Sequence, residues 1–215
     1  MPSKFIKRDF VKNGFYHIYN SSHEGTLLFK NDEDFSLFIY YLTIYLTPLE
    51  ILHKKLPDLP VRYYHKNLAG DITLLSYTLL PDHFHLLVRI KNEKSLPKLM
   101  KQLANAYMQY VSTVYKPKSS LFSGRYKATQ ITDKKNLSNL ARHFHIEPVV
   151  TQNKSLEYPW SSYQEYTCLS QRNLCSTDII LKEFPSIYAF KKFHDKKTYQ
   201  KSLEKIKDIL IEDIF

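Results

Sequence analysis

The stretch Leu79-Leu80-Pro81-Asp82-His83-Phe84-His85-Leu86-Leu87-Val88-Arg89-Ile90 admits few structures. Pro81-Asp82 is turn chemistry, and every second residue after it is apolar. Successive side chains of a β-strand point to opposite faces. A strand from His83 to Ile90 therefore gathers Phe84, Leu86, Val88 and Ile90 on one wholly apolar face. His83 and His85 stand together on the other, followed there by Leu87 and Arg89. The apolar face demands a covering layer. The two imidazoles can converge on one metal ion, although His-x-His alone is too short to exclude two ordinary surface histidines.

The neighbouring segments supply that layer. Ile72 to Leu80 reads as another strand, and the short turn after it implies antiparallel pairing. Phe15-Tyr16-His17-Ile18-Tyr19 is aromatic and β-branched, a strand by propensity. Asn31-Asp32-Glu33-Asp34 opens a helix, with acids where the helix dipole favours them and an apolar stripe of Phe35, Phe38, Ile39, Leu42 and Leu46. Residues 48 to 71 read as an irregular connection, extended near Val61 to His65. Ser95 caps a helix to about Tyr115, whose stripe includes Tyr107 and Tyr110. Thr132 or Asp133 opens a further helix carried by Leu137, Leu140, Ala141 and Phe144 and ended by Pro148. From Phe184 onward the chain is helical and Lys-rich.

Strand, helix, strand, strand, helix is a split β-α-β order. The expected fold is α+β: a ferredoxin-like antiparallel sheet with helices packed on one face, plus a C-terminal helical extension. The expected division is a domain over residues 1–166 and an extension over 167–215. The face bearing His83 and His85 is expected to lie open.

The charge balance narrows the partners. Lys and Arg number 31 against 21 Asp and Glu, a net charge of +10, which favours polyanions. Basic residues mixed with 17 tyrosines suit phosphate contact and base stacking. Cys168 and Cys175 form neither a zinc pattern nor a disulfide framework. The N-terminus has no apolar signal core, and the most apolar run, Phe35 to Leu46, is too short to span a bilayer. A cytoplasmic protein with no membrane partner is expected.

Five segments in order resemble the HUH-type single-tyrosine transposases, in the branch of REP-associated tyrosine transposases. They are Tyr16 to Tyr19 with Leu28-Phe29, Asp32 and Asp34; Leu80 to Val88; Phe122-Ser123-Gly124-Arg125-Tyr126-Lys127; His145-Ile146-Glu147-Pro148-Val149; and Tyr158 to Tyr163. The resemblance covers roughly residues 10 to 166. Glu147 stands where the family usually has Asn before the proline, and Ser112 takes the place of another Asn. Asn136, three residues after Asp133, takes the place of the nucleophilic tyrosine.

The resemblance implies a divalent metal ion, Mg²⁺ or Mn²⁺, held by the His83 and His85 motif. It also implies a tyrosine that cuts one DNA strand and stays attached through a 5′-phosphotyrosine. With Asn136 in the usual place, Tyr126 is the substitute nucleophile, and Gln130 a third metal ligand if the segment is helical. In a strand the two sit roughly 13 Å apart, too far for one metal site; the local sequence leaves helix and strand open. Tyr107 is the runner-up nucleophile, although its apolar stripe argues for core. Arg125 and Lys127 are candidate phosphate contacts. Asp82 reads as a turn residue and Ser161-Ser162 as a cap. A second His-Phe-His at His143 and His145 is poorly placed to share a metal on a helix, where residues two apart diverge by about 200°.

Three functions follow from these readings. The first is a metal-dependent transposase acting on single-stranded or hairpin DNA. The second is a non-catalytic, domesticated protein on the same scaffold that binds hairpin DNA or RNA. The third is a metal-dependent hydrolase in which water attacks. Monomer and homodimer are both compatible with the sequence.

Overall fold

The structure, a computed structural model, describes residues 9–117 and 119–210. Its element order begins β1 (Phe15–Ser21), α1 (Asp32–Leu46), α2 (Leu49–Lys55), α3 (Val61–Tyr64), β2 (Ile72–Leu79), β3 (His83–Ile90), α4 (Ser95–Tyr115) and β4 (Lys127–Ile131). There follow α5 (Asn136–Thr151), α6 (Tyr163–Tyr166), α7 (Asp178–Leu181), α8 (Ile187–Phe193) and α9 (Lys196–Ile206), with a 3₁₀ turn at Lys207–Ile209. The sheet is antiparallel in the order β2-β3-β1-β4. That order, with α1 and α4 as the two crossovers, is the ferredoxin-like arrangement expected from the sequence.

The apolar face of β3 meets α1 and α4 as expected. Phe84, Leu86, Val88 and Ile90 pack with Phe38, Leu42, Leu99 and Leu103 in one buried cluster. Asn31 caps α1, its side chain accepting a hydrogen bond from the Asp34 amide. The buried Asp34 carboxylate accepts from the Lys30 amide and from the hydroxyls of Tyr110 and Tyr115, tying α1 to the end of α4. A buried carboxylate is tolerated only with such partners.

The opposite face is covered as well, which corrects the expectation that it lies open. Phe15, Leu75 and Leu87 from the sheet form a second buried cluster with Leu137, Leu140 and Phe144 of α5, and with Phe190 and Ile206 of α8 and α9. Leu75 reaches this side because the β2–β3 register shifts between Leu74 and Ser76. Residues 48 to 71, expected to be irregular, contain α2 and α3. Pro148 does not end α5; it lies inside the helix, which runs on to Thr151. The segment around Trp160 covers the β2 edge: the Leu79 amide donates to the Trp160 carbonyl and the Ser162 amide to that of Tyr77. Among the described residues no helix is long and apolar enough to cross a membrane.

A buried histidine pair joins α8 to α5. The His194 Nδ1–H donates to the Phe190 carbonyl at 2.9 Å, which leaves Nε2 to accept from His145 Nδ1–H, also at 2.9 Å. His145 Nε2 then faces the Ser162 hydroxyl at 2.9 Å. Burial, with His194 beside it, holds His145 well below the usual imidazole range. Burial also brings His194 down to about 4.

Two outcomes test this architecture. Leu87→Ala, on the face expected to be open, should cost about 2–5 kcal/mol in urea unfolding, as should Leu86→Ala on the other face. The unfolded chain takes up protons on His145 and His194 below pH of about 6.5, whereas the folded chain does not. Their stabilisation is therefore complete above that pH and lost as pH falls toward 4. Between pH 7 and 5 the contribution of this pair to the unfolding free energy should therefore fall, read as the part of the urea-midpoint shift that is lost in His194→Gln.

Candidate metal centre

β3 opens with His83 and His85 on the face turned toward α5. Directly paired residues share a face. Ser21 opposite His83, Tyr19 opposite His85 and His17 opposite Leu87 therefore belong to the same surface. From above, α5 lowers His143 and Glu147 onto it, four residues apart and thus one turn apart on one side of the helix. The His83 and His85 imidazoles and the Glu147 carboxylate each offer an atom within 4.8 Å of the others.

The protonation of this group follows from its outer contacts. A carbonyl can only accept, so the 3.0 Å contact from His17 Nδ1 to the Ile209 carbonyl places a proton on that nitrogen. A neutral His17 then accepts, through Nε2, the Nδ1–H of His85 at 2.8 Å. His85 Nε2 faces Glu147 Oε2 at 3.5 Å. On the other side, His83 Nδ1–H donates to Asp82 at 2.8 Å, while its Nε2 lies 2.9 Å from Glu147 Oε1. Both Nε2 atoms are thus aimed at one carboxylate. Burial opposes a charge on His83, but hydrogen bonds to Asp82 and Glu147 outweigh it and push the imidazole up to about 10. The hydrogen bond from His83 likewise holds the Asp82 carboxyl below its usual range.

This donor set fits a divalent cation. Imidazole lone pairs and a carboxylate oxygen in one pocket are metal-ligand chemistry, and each histidine has its other nitrogen fixed by an outer partner, Asp82 or His17. His85 is fully buried and Glu147 nearly so, whereas His83 is partly open to solvent.

The structure sorts the residues singled out in the sequence. His83 and His85 come together. Lys127, paired with Tyr19, lies on the same face, with its ammonium 5.5 Å from the Tyr19 ring centroid. Gln130 does not join them: it pairs with Tyr16 on β4, which the sequence left undecided and which forms a strand, so its side chain takes the α1/α4 face. Tyr126 precedes that strand and packs against the α1/α4 core, which removes it from the imidazoles. Arg125 is exposed in the adjoining loop. Tyr107 is core, its hydroxyl donating to the Leu28 carbonyl at 2.7 Å.

Four participants were not read as such. Glu147 stood out only as a departure from the family pattern, Asp82 only as a turn residue, and neither His17 nor His143 as part of the site. The usable signals were the period of two along β1, which puts His17 and Tyr19 on one face, and the His143–Glu147 spacing on a helix. Tyr19 is the phenol in ring contact with both motif imidazoles, at 5.6 Å from His83 and 5.0 Å from His85. Tyr199 of α9 reaches the rim of the group, its hydroxyl 2.6 Å from His143 Nδ1.

Residues 61–145 match the model of a family described as "Transposase IS200 like". No curated protein matches the chain. A solved REP-associated tyrosine transposase bound to a REP hairpin is 14% identical, covers 77% of this chain and 86% of its own, and superposes with a TM-score of 0.50. A tRNA(His) guanylyltransferase from Saccharomyces cerevisiae is 8% identical, covers 96% of this chain and 82% of its own, and gives a TM-score of 0.40. The resemblance to HUH-type tyrosine transposases is borne out over residues 61–145 by the family match, and in the fold by the first of these structures.

Metal titration tests the centre. Asp82→Asn removes the carboxylate that orients His83 and should weaken Mn²⁺ binding by about 10–100-fold in calorimetry. Gln130→Ala, on the far face, should leave it unchanged.

Proposed function

We propose that this protein is a metal-dependent enzyme that nicks and rejoins single-stranded or hairpin DNA at the His83–His85–Glu147 group. The observation that carries this reading is the convergence of both motif imidazoles on the buried Glu147, with Asp82 and His17 fixing their protonation. A Mg²⁺ or Mn²⁺ ion held by His83, His85 and Glu147 would supply Lewis-acid polarisation of the scissile phosphate. The DNA partner is supported by the net charge of +10 and by the transposase of like fold, which is bound to a REP hairpin.

The chain's own residues divide the remaining work. Tyr19 is the attacking phenol. Its oxygen bonds to phosphorus, the bond from phosphorus to the 3′-oxygen breaks, and the phenolic proton leaves as the 3′-hydroxyl gains one. In the return step the 3′-hydroxyl attacks the 5′-phosphotyrosine and restores the phenol, so no high-energy cofactor is needed. Lys127 beside Tyr19 contacts the phosphate. The ligand atoms all come from one chain, so the group itself requires no second subunit.

The non-catalytic reading draws support from one observation. Asn136 occupies the start of α5, and Tyr126 and Tyr107 both lie away from the imidazoles. Covalent trapping separates the readings. Labelled hairpin DNA with Mn²⁺ should give a denaturation-stable protein–DNA band, lost in Tyr19→Phe and in His83→Ala and kept in Tyr126→Phe. A band lost only in Tyr199→Phe moves the nucleophile to α9. Cleavage without a band means that water attacks, and salt-sensitive binding without cleavage means a binding protein.

A further inference from the structure

A cavity of about 240 Å³ lies beside Arg89, near the end of β3 away from the metal ligands. It is below the usual range for sites that enclose a drug-sized molecule, so it suits one small group. Phe15 and Leu137 give it an apolar wall, and Arg89, Lys134, Lys182 and Glu183 are its charged lining. Arg89 shares a sheet face with His83 and His85, because alternate residues of a strand do. It sits four residues beyond His85, roughly 13 Å along the strand, too far for one phosphate to touch both places.

We propose that this cavity binds a phosphate monoester, at a site separate from the metal centre and independent of the DNA-processing reading. The Arg89 Nε–H is buried and has no hydrogen-bond partner among the described residues. A buried donor left unpaired is costly, and an oxyanion oxygen would satisfy it. The Arg89 guanidinium carbon and the Lys134 ammonium each lie 5.9 Å from the centroid of the Phe15 ring. Two cations thus gather on one ring. Among the described residues no carboxylate lies within salt-bridge distance of either, or of Lys182. Like charges brought together without a counter-charge favour an anion between them.

Charge chooses among the oxyanions. The one carboxylate in the lining, Glu183, already accepts from the Ser138 hydroxyl. Set against Arg89, Lys134 and Lys182, it leaves two formal positive charges. A phosphate monoester carries about −1.5 to −2 at pH 7 and matches them, whereas a phosphodiester or a carboxylate carries a single charge. The planar guanidinium donors suit its oxygens, and the two ammonium groups act as point charges. The start of α5, where Leu137 lines the cavity, adds to the same field: its first turn holds no acid and no side chain caps it. A monoester reaches such a site either as the terminal phosphate of a nucleic-acid strand or on a small phosphorylated molecule.

Titration with methyl phosphate and dimethyl phosphate tests the proposal. The full chain is held in chelator, so that no metal competes for the anion. Binding is followed by calorimetry and by the Arg89 Nε–H resonance, identified as the one missing from Arg89→Gln. Methyl phosphate should bind saturably, shift that resonance, and bind about 10-fold or more tighter than dimethyl phosphate. Arg89→Gln should weaken it by about 10-fold or more, and Arg89→Lys should not restore it, since the charge returns without the Nε–H. Lys134→Ala, an exposed change, should weaken it in the same direction. Unchanged Mn²⁺ affinity in each variant shows that the fold and the metal centre are intact. The proposal falls if methyl phosphate leaves the Arg89 resonance in place, if the diester binds as well as the monoester, or if folded Arg89→Gln keeps wild-type affinity. Hairpin DNA with and without a terminal phosphate then separates the two sources. A gain from the phosphate in wild type that Arg89→Gln loses assigns the site to a strand end. Methyl phosphate binding with no such gain assigns it to a small phosphorylated molecule.

Discussion

Two imidazoles aimed at one buried carboxylate set the terms for this protein. Glu147 is nearly sealed from solvent, and an ionised carboxylate there is tolerable only against cationic partners. His83 meets that requirement when protonated, and a divalent ion would meet it when the imidazole is neutral. Everything needed to bring the three residues together is built into the sheet and α5. The β3 alternation turns His83 and His85 toward α5 while Phe84 and Leu86 anchor the strand from beneath. The His143–Glu147 side of α5 faces them because Leu140 and Phe144 pack on the same sheet surface.

Much of this was legible in the sequence, for a simple reason. Period-two alternation with one wholly apolar face leaves a strand no freedom about which side it buries, so β3, its pairing with β2 and the layer of α1 and α4 could be read directly. β4 could not. Lys127 to Ile131 is a short segment with two β-branched residues and no clean alternation, and its strand conformation comes from pairing with β1, a long-range contact. That one ambiguity decided the fate of Tyr126 and Gln130, since an extended backbone separates residues that a helix would bring together.

Glu147 was hidden for a different reason. A carboxylate on a helix is ordinarily a solvated residue, and only the three-dimensional path of α5 over the sheet shows that it points inward. Pro148 also suggested that the helix stopped there. A proline inside a helix loses one backbone hydrogen bond, and the packing of α5 against both the sheet and α9 maintains the helix through it. The covered face was missed because its cover is discontinuous in sequence: Phe15, Leu87, Phe144, Phe190 and Ile206 meet from five separate elements.

The contact between His17 and the Ile209 carbonyl spans almost the whole described chain. On a ribosome the two motif histidines emerge early, and the carbonyl that orients His17, the partner of His85, emerges more than a hundred residues later. A nascent chain therefore carries the ligands without the proton arrangement that aims them. The proton arrangement of the centre thus depends on a contact made from the far end of the described chain.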